Sequence, residues 1–174
     1  MDGVLRDTKA DVILFVDNDC FPLKREAVRS AIGFAANRRS FLGLAQASNH
    51  INHGQHIFAA PAFLAISRVG WISMGRPSCS PTVRGDVAEE LSWRAEEIGL
   101  RYRAWYPRFF HHYSSEGEWS LGNYGYFGIG TIYQDLVFHL FQGRLNENVA
   151  LFEKVSNAVV NNDLSLKDFR SCVV

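Results

Sequence analysis

The chain has 174 residues, 47% hydrophobic and 21% charged, a size and balance that fit one folded domain and exclude a disordered or collagen-like chain. Lys+Arg and Asp+Glu each number 18, so no global charge points to nucleic acid or to an acidic membrane surface. The longest uninterrupted apolar run, residues 57–66, contains Pro61 and is too short to span a bilayer, and the first residues carry no signal-peptide pattern. Cys20, Cys79 and Cys172 lack metal-ligand spacing and fit a reducing compartment.

In chain order, strand and helix patterns alternate without linker or repeat. This predicts an α/β domain over residues 1–174, with a mixed sheet flanked by helices. A first strand over residues 12–16 runs into Asp17-Asn18-Asp19. The two-residue period of a strand sends both carboxylates to one side as the chain leaves the sheet. Paired carboxylates at a strand end make a hard-oxygen cradle for Mg2+ or Mn2+, at the end of an open α/β sheet where ligands sit. A solvated Asp-Asn-Asp turn is the plainer reading of the same residues.

Pro22 is placed as the first residue of a helix running to about Arg38, with Leu23, Ala27, Ala31 and Ala35 on its apolar stripe. Residues 41–47 and 57–66 read as strands, the second bent at Pro61, with a loop at 48–56 between them. His50, His53 and His56 recur every three residues in that loop and are read as loop polarity. A second helix is predicted from Asp86 to a stop at Gly99, followed by a strand over 100–106 ended by Pro107. Residues 113–131 interleave glycines with Trp119, Tyr124 and Tyr126, which predicts a loop suited to a lid. Helices are predicted over 132–143 and 146–160.

The run Val-Ile-Leu-Phe-Val16-Asp17-Asn-Asp19-Cys-Phe-Pro22 resembles the Asp-x-Asp region of nucleotide-sugar glycosyltransferases with the GT-A fold, family-2-like. Residues 56–71 resemble the acceptor-side strand of that family. Residues 84–102, with Glu90-Leu-Ser-Trp-Arg94 and Gly99, resemble its acidic helix start and Leu-Ser-x-Arg…Gly pattern. The similar segments span about residues 10–145, in the family's order. In the family, Glu-Asp stands two residues before the Glu-Leu-Ser-x-Arg element, whereas here Gly85-Asp86 lies further upstream.

The resemblance implies the later part of a GT-A domain and transfer of a sugar from a nucleoside diphosphate donor to a saccharide or other hydroxyl acceptor, with Mn2+ or Mg2+. It implies Asp19 as direct metal ligand and Asp17 acting through water or on the donor ribose. A late histidine ligand is implied at His111, His112 or His139, and a diphosphate contact at Arg144. An inverting reaction would use Asp86 as base, with Glu90 in reserve, and a retaining one would need neither; helix capping is the other role open to both. Sixteen residues precede Asp17, too few for the family's nucleotide-holding segment. The expectation is therefore an impaired fragment, or a second chain supplying that pocket. The implied location is cytoplasmic, or peripheral at the inner membrane.

Two other readings stand beside this one. Haloacid-dehalogenase-like phosphatases also begin on a strand ending in Asp-x-Asp. That reading makes Asp17 the nucleophile and Asp19 the general acid, but Cys20-Phe21 stands where a small pair is expected. The other is a folded remnant or subunit that only binds.

Overall fold

The computed structural model describes residues 1–52, 55–111, 118–143 and 145–172. Four strands form the first sheet in the order β1 (Val12–Val16), β4 (Ile57–Ser67), β3 (Phe41–Ala47) and β5 (Arg103–Trp105). β4 runs antiparallel to β1 and β3, and β5 runs parallel to β3. The sheet is therefore mixed: β1, β3 and β5 point the same way and end at one edge.

Both faces of the sheet are covered, and the two-residue period of the strands sorts side chains between them. Leu42, Leu44, Phe63 and Ala65 pack with Ala27, Ala31 and Ala35 of α2 (Arg25–Arg38). The alanines recur every four residues, so they form one stripe of the helix and let its backbone lie close to the sheet. Phe41, Leu64 and Ile66 face the other way. They meet Leu5 of α1 (Asp2–Asp7), Trp71 of α4 (Arg68–Ser73), and Leu91 and Ala95 of α5 (Glu89–Glu97).

A second, antiparallel sheet runs in the order β11 (Arg170–Ser171), β6 (Pro107–Phe110), β9 (Thr131–Tyr133), β10 (Val137–His139) and β2 (Cys20–Pro22). α6 (Asn146–Val160) lays Leu151 and Val155 on Ile132, Phe138 and Leu140. Tyr133 and Val137 pack in the same cluster as Leu42 and Trp105, so the two sheets share a core. A hairpin of β7 (Glu118–Ser120) and β8 (Tyr126–Gly128) completes the described chain. Among the described residues no helix is long and apolar enough to cross a membrane.

Several elements differ from the sequence reading, each for a local reason. Pro22 does not open a helix. It ends β2 opposite Val137, on an edge strand where a missing N–H is tolerated, and the helix starts at Arg25. Pro107 begins β6 rather than only closing a strand. The helix expected over 132–143 is instead the β9–β10 hairpin, turned by Gln134 and Asp135 at φ 52° and 56°. α5 starts at Glu89, later than expected, behind Ala88 in the left-handed region. The loop expected at 48–56 contains the short helix α3 (Asn49–Asn52), and the Gly/aromatic segment folds in part as β7 and β8.

The bend expected at Pro61 is real. Leu42 lies opposite Ala65 but Leu44 opposite Ala60, so the β3–β4 register shifts around Gly43. A Cβ on Gly43 would come within 2.7 Å of the Ala60 carbonyl oxygen. Gly43→Ala should therefore destabilise the fold by roughly 1–3 kcal/mol, the cost of overpacking a core. Urea denaturation against the parent chain measures it, and an unchanged midpoint would mean that β4 yields there.

Candidate metal centre

The Asp-Asn-Asp triplet converges by a turn rather than by strand pleat. Asp17 N–H bonds the Ala62 carbonyl (2.9 Å), continuing β1, and Cys20 N–H then bonds back to the Asp17 carbonyl (3.1 Å). That contact closes a four-residue turn of a kind Asp and Asn favour. From Cys20 the chain enters β2, where Cys20 faces His139 of β10, and Leu140 N–H bonds the Asp19 carbonyl (2.9 Å). Backbone pairing thus seats His139 beside the turn.

One oxygen each from Asp17 and Asp19 and a ring nitrogen of His139 lie within 4.8 Å of one another. His139 Nε2 is 3.6 Å from Asp19 Oδ1. Asp17 is exposed, Asp19 half-buried and His139 buried. Partial desolvation by the surrounding chain raises the Asp17 carboxyl above its usual range although the residue is exposed; desolvation first, and then the neighbouring Asp17 charge, do the same to Asp19. Burial pushes His139 down to about 3, so the ring is neutral at ordinary pH, the form that ligates metal. His139 Nδ1 is buried with no hydrogen-bond partner among the described residues.

This donor set fits a divalent ion. Two carboxylates and a neutral imidazole suit Mn2+ well, and Mg2+, which prefers oxygen alone, less well. Gly143 leaves room at Asp19, where a Cβ would sit 3.2 Å from the carboxylate. A cleft of about 580 Å³ opens beside the group, with Asn18, Asp19 and Gln142 on its polar side and Leu140, Val149 and Phe152 on its apolar side.

Of the other expected residues, His111 lies apart from this group, its ring edge-on to Phe169. His112 and Arg144 fall outside the described residues. Asp86 Oδ1 accepts from Val87 N–H (2.7 Å) in the turn ahead of α5, and Ala88, not Asp86, stands at the N-cap position of that helix. Glu90 is held by Arg84 through two bonds (2.9 and 2.6 Å), with Arg94 also near, so both of its carboxylate oxygens are already engaged. Trp119 packs with Phe127 and Phe141, and Phe141 lies 4.2 Å from the His139 ring. Tyr124 and Tyr126 are exposed.

Glu89, which the sequence places among the acidic residues of the helix start but not among the site candidates, organises the other part of this edge. It is fully buried, and its carboxylate accepts from Ser48 Oγ, His56 Nδ1 (2.6 Å) and Asp86 N–H (2.9 Å). Burial pulls its acidity one way, but these bonds from His56, Ser48 and Asp86 outweigh it and leave the carboxyl below its ordinary value. The His56 ring stacks 3.6 Å over Trp93 and turns Nε2 toward Glu96 (3.3 Å). Ser48 follows β3 and His56 precedes β4, so the start of α5 lies at the sheet edge where β1 delivers Asp17. The Asp86-x-x-Glu89 spacing is that of a capping box, a signal present in the sequence.

The chain matches no family model, no curated protein and no solved structure.

His139 links the site to stability. The unfolded histidine takes a proton below about pH 6.5, while the folded one resists until about pH 3. The unfolded state therefore binds more protons in that window, and stability falls as pH falls through it. Asp17 and Asp19, raised in the fold, act with the opposite sign in the acid range. With metal chelated, His139 should cost about 2 kcal/mol between neutral pH and about pH 5, at about 1.4 kcal/mol per pH unit. Urea midpoints across that range check this, and His139→Gln should flatten the slope.

Proposed function

We propose that this chain is a metal-dependent glycosyltransferase, moving a sugar from a nucleoside diphosphate donor to a hydroxyl acceptor, on a scaffold akin to the later part of a GT-A domain. The observation that carries the reading is the gathering of Asp17, Asp19 and His139 beside a cleft, at the edge where β1, β3 and β5 all end. Ligands of open α/β sheets bind at that end of the strands.

In this reading Asp17, Asp19 and His139 hold a divalent ion, Mn2+ by preference. When bound, the ion supplies Lewis-acid neutralisation of the charge that builds on a departing diphosphate. Asp19, between His139 and Gly143, orients the site from its buried side, and exposed Asp17 reaches toward the donor. Glu89 holds the start of α5 at the acceptor side and so positions Asp86, the carboxylate this reading assigns to take the acceptor proton in an inverting reaction. The aromatic cluster of Trp119, Phe127 and Phe141 backs His139 and keeps water from one side of the group.

Val12–Val16 is an apolar strand at the sheet edge, paired among the described residues only with β4, and such an edge accepts a further strand.

Calorimetric titration of Mn2+ tests the site. Asp19→Ala should weaken binding by at least about tenfold, about 1.4 kcal/mol, and Asp17→Ala by less. UDP, GDP and CDP should then bind only when Mn2+ is present, and Asp19→Ala should abolish that dependence. Nucleotide binding indifferent to metal would defeat the reading. Robust turnover of an aryl phosphate, lost in Asp17→Asn, would replace it with the phosphatase.

A further inference from the structure

The opposite end of the first sheet carries a different chemistry. Ser67 ends β4 opposite Val12, the first residue of β1, and Arg68 N–H bonds the Asp11 carbonyl. At about 3.3 Å per residue, the six steps from Asp11 to Asp17 separate this end from the carboxylate pair by roughly 20 Å. A pocket of about 340 Å³ lies here between α1 and α4, lined by Arg6, Arg68 and Arg76 together with Trp71, Ser78 and Asp2.

The charges in this pocket do not balance. Arg68 and Arg76 make no ion pair among the described residues, and Arg6 pairs with the adjacent Asp7, exposed on both sides, with Asp2 a weaker electrostatic neighbour. The pocket's own carboxylate is occupied: Asp2 accepts from Ser78 Oγ (2.7 Å) and from Cys79 N–H (2.8 Å). Arg68 Nε is buried and has no acceptor among the described residues. A buried donor without an acceptor is rare in folded proteins and marks a place where a ligand or ordered water belongs.

The backbone also holds Arg76 in an uncommon conformation. Gly75 and Arg76 both lie at positive φ, 83° and 58°, as the chain turns out of α4, and Arg76 N–H bonds back to the Trp71 carbonyl (3.0 Å). A bulky residue at positive φ is unfavourable and is kept where the surroundings demand it. Trp71 is fixed below by its indole N–H to the Pro77 carbonyl (3.0 Å), giving the pocket a rigid wall. Arg38, Arg39 and Arg101 are exposed at this same end of the sheet, at the close of α2 and before β5.

We propose that Arg6, Arg68 and Arg76 form an anion-binding site for a phosphate group, separate from the metal centre. Guanidinium forks match the oxygens of a phosphate two at a time, and an acceptor bridging Arg68 Nε and a terminal nitrogen satisfies the orphaned donor. The phosphate can belong to a soluble phosphomonoester or to a lipid headgroup, since the pocket opens at the surface.

Titration calorimetry with inorganic phosphate, against sodium chloride at equal ionic strength, is the test. The parent chain should bind phosphate saturably. Arg68→Gln should weaken binding about tenfold or more, and Arg68→Lys should restore it only in part, because an ammonium lacks the fork. Arg76→Gln, at an exposed position, should also weaken it and guards against a folding defect at Arg68. Asp19→Ala should bind phosphate like the parent, which separates this site from the metal reading. Flotation with phosphatidylcholine vesicles, with and without phosphatidic acid, distinguishes the sources: retention only with phosphatidic acid and loss in Arg76→Gln assign the lipid, while no retention assigns the soluble ester. Absence of saturable phosphate binding in the parent chain, or binding in both glutamine variants as tight as in the parent, overturns the proposal.

Discussion

The pairing of β2 with β10 is the constraint on which the rest of the structure depends. Three residues just past the Asp-Asn-Asp turn, Cys20, Phe21 and Pro22, lie against His139, Phe138 and Val137 from the far part of the chain. That ladder places a histidine beside two carboxylates, seats Phe21 and Phe138 in the core under α6, and extends the second sheet to the end of the first. Breaking it would scatter Asp17, Asp19 and His139 and open the joint between the sheets together.

The electrostatics of the gathered groups favour a cation. At about 4 Å two like unit charges repel by about 1 kcal/mol in water and by about 4 kcal/mol at an effective dielectric of ~20. The exposure of Asp17 keeps the pair nearer the lower figure. Both carboxyls are nonetheless shifted toward protonation and the histidine toward neutrality. None of the three supplies positive charge, so a divalent ion bound there would relieve the repulsion and give the imidazole a partner. At the other part of this edge, Glu89 shows the reverse case, a buried carboxylate held by hydrogen bonds from Ser48, His56 and Asp86. One end of this edge is complete as it stands, and the other is built to receive something.

Much of this was legible in the sequence, and the failures have physical causes. β3 and α6 occupy the expected residues because their patterns are sustained over whole elements. Asp17 and Asp19 stood out because two carboxylates end an apolar strand, although a turn and not the pleat brings them together. His139 could be named only among three candidates, since its partner strand is remote in sequence. The β9–β10 hairpin read as helix because Gln134-Asp135 lacks the Asn-Gly or Gly-rich signature of a tight turn, and the residues around it form a nearly continuous apolar run. Glu89 was visible as an acidic residue at a helix start, but its burial depends on Ser48 and His56 arriving from the segment between β3 and β4. The Arg6, Arg68 and Arg76 pocket forms only when α1 and α4 pack together, so no local pattern announces it.

The central claim is that Asp17, Asp19 and His139 make one divalent-metal site. Crystals grown with Mn2+ and measured for anomalous scattering test it directly. The account predicts a single strong anomalous peak within bonding distance of carboxylate oxygens from both aspartates and of a ring nitrogen of His139. A peak bound elsewhere, or one held by the aspartates with His139 turned away, would contradict it.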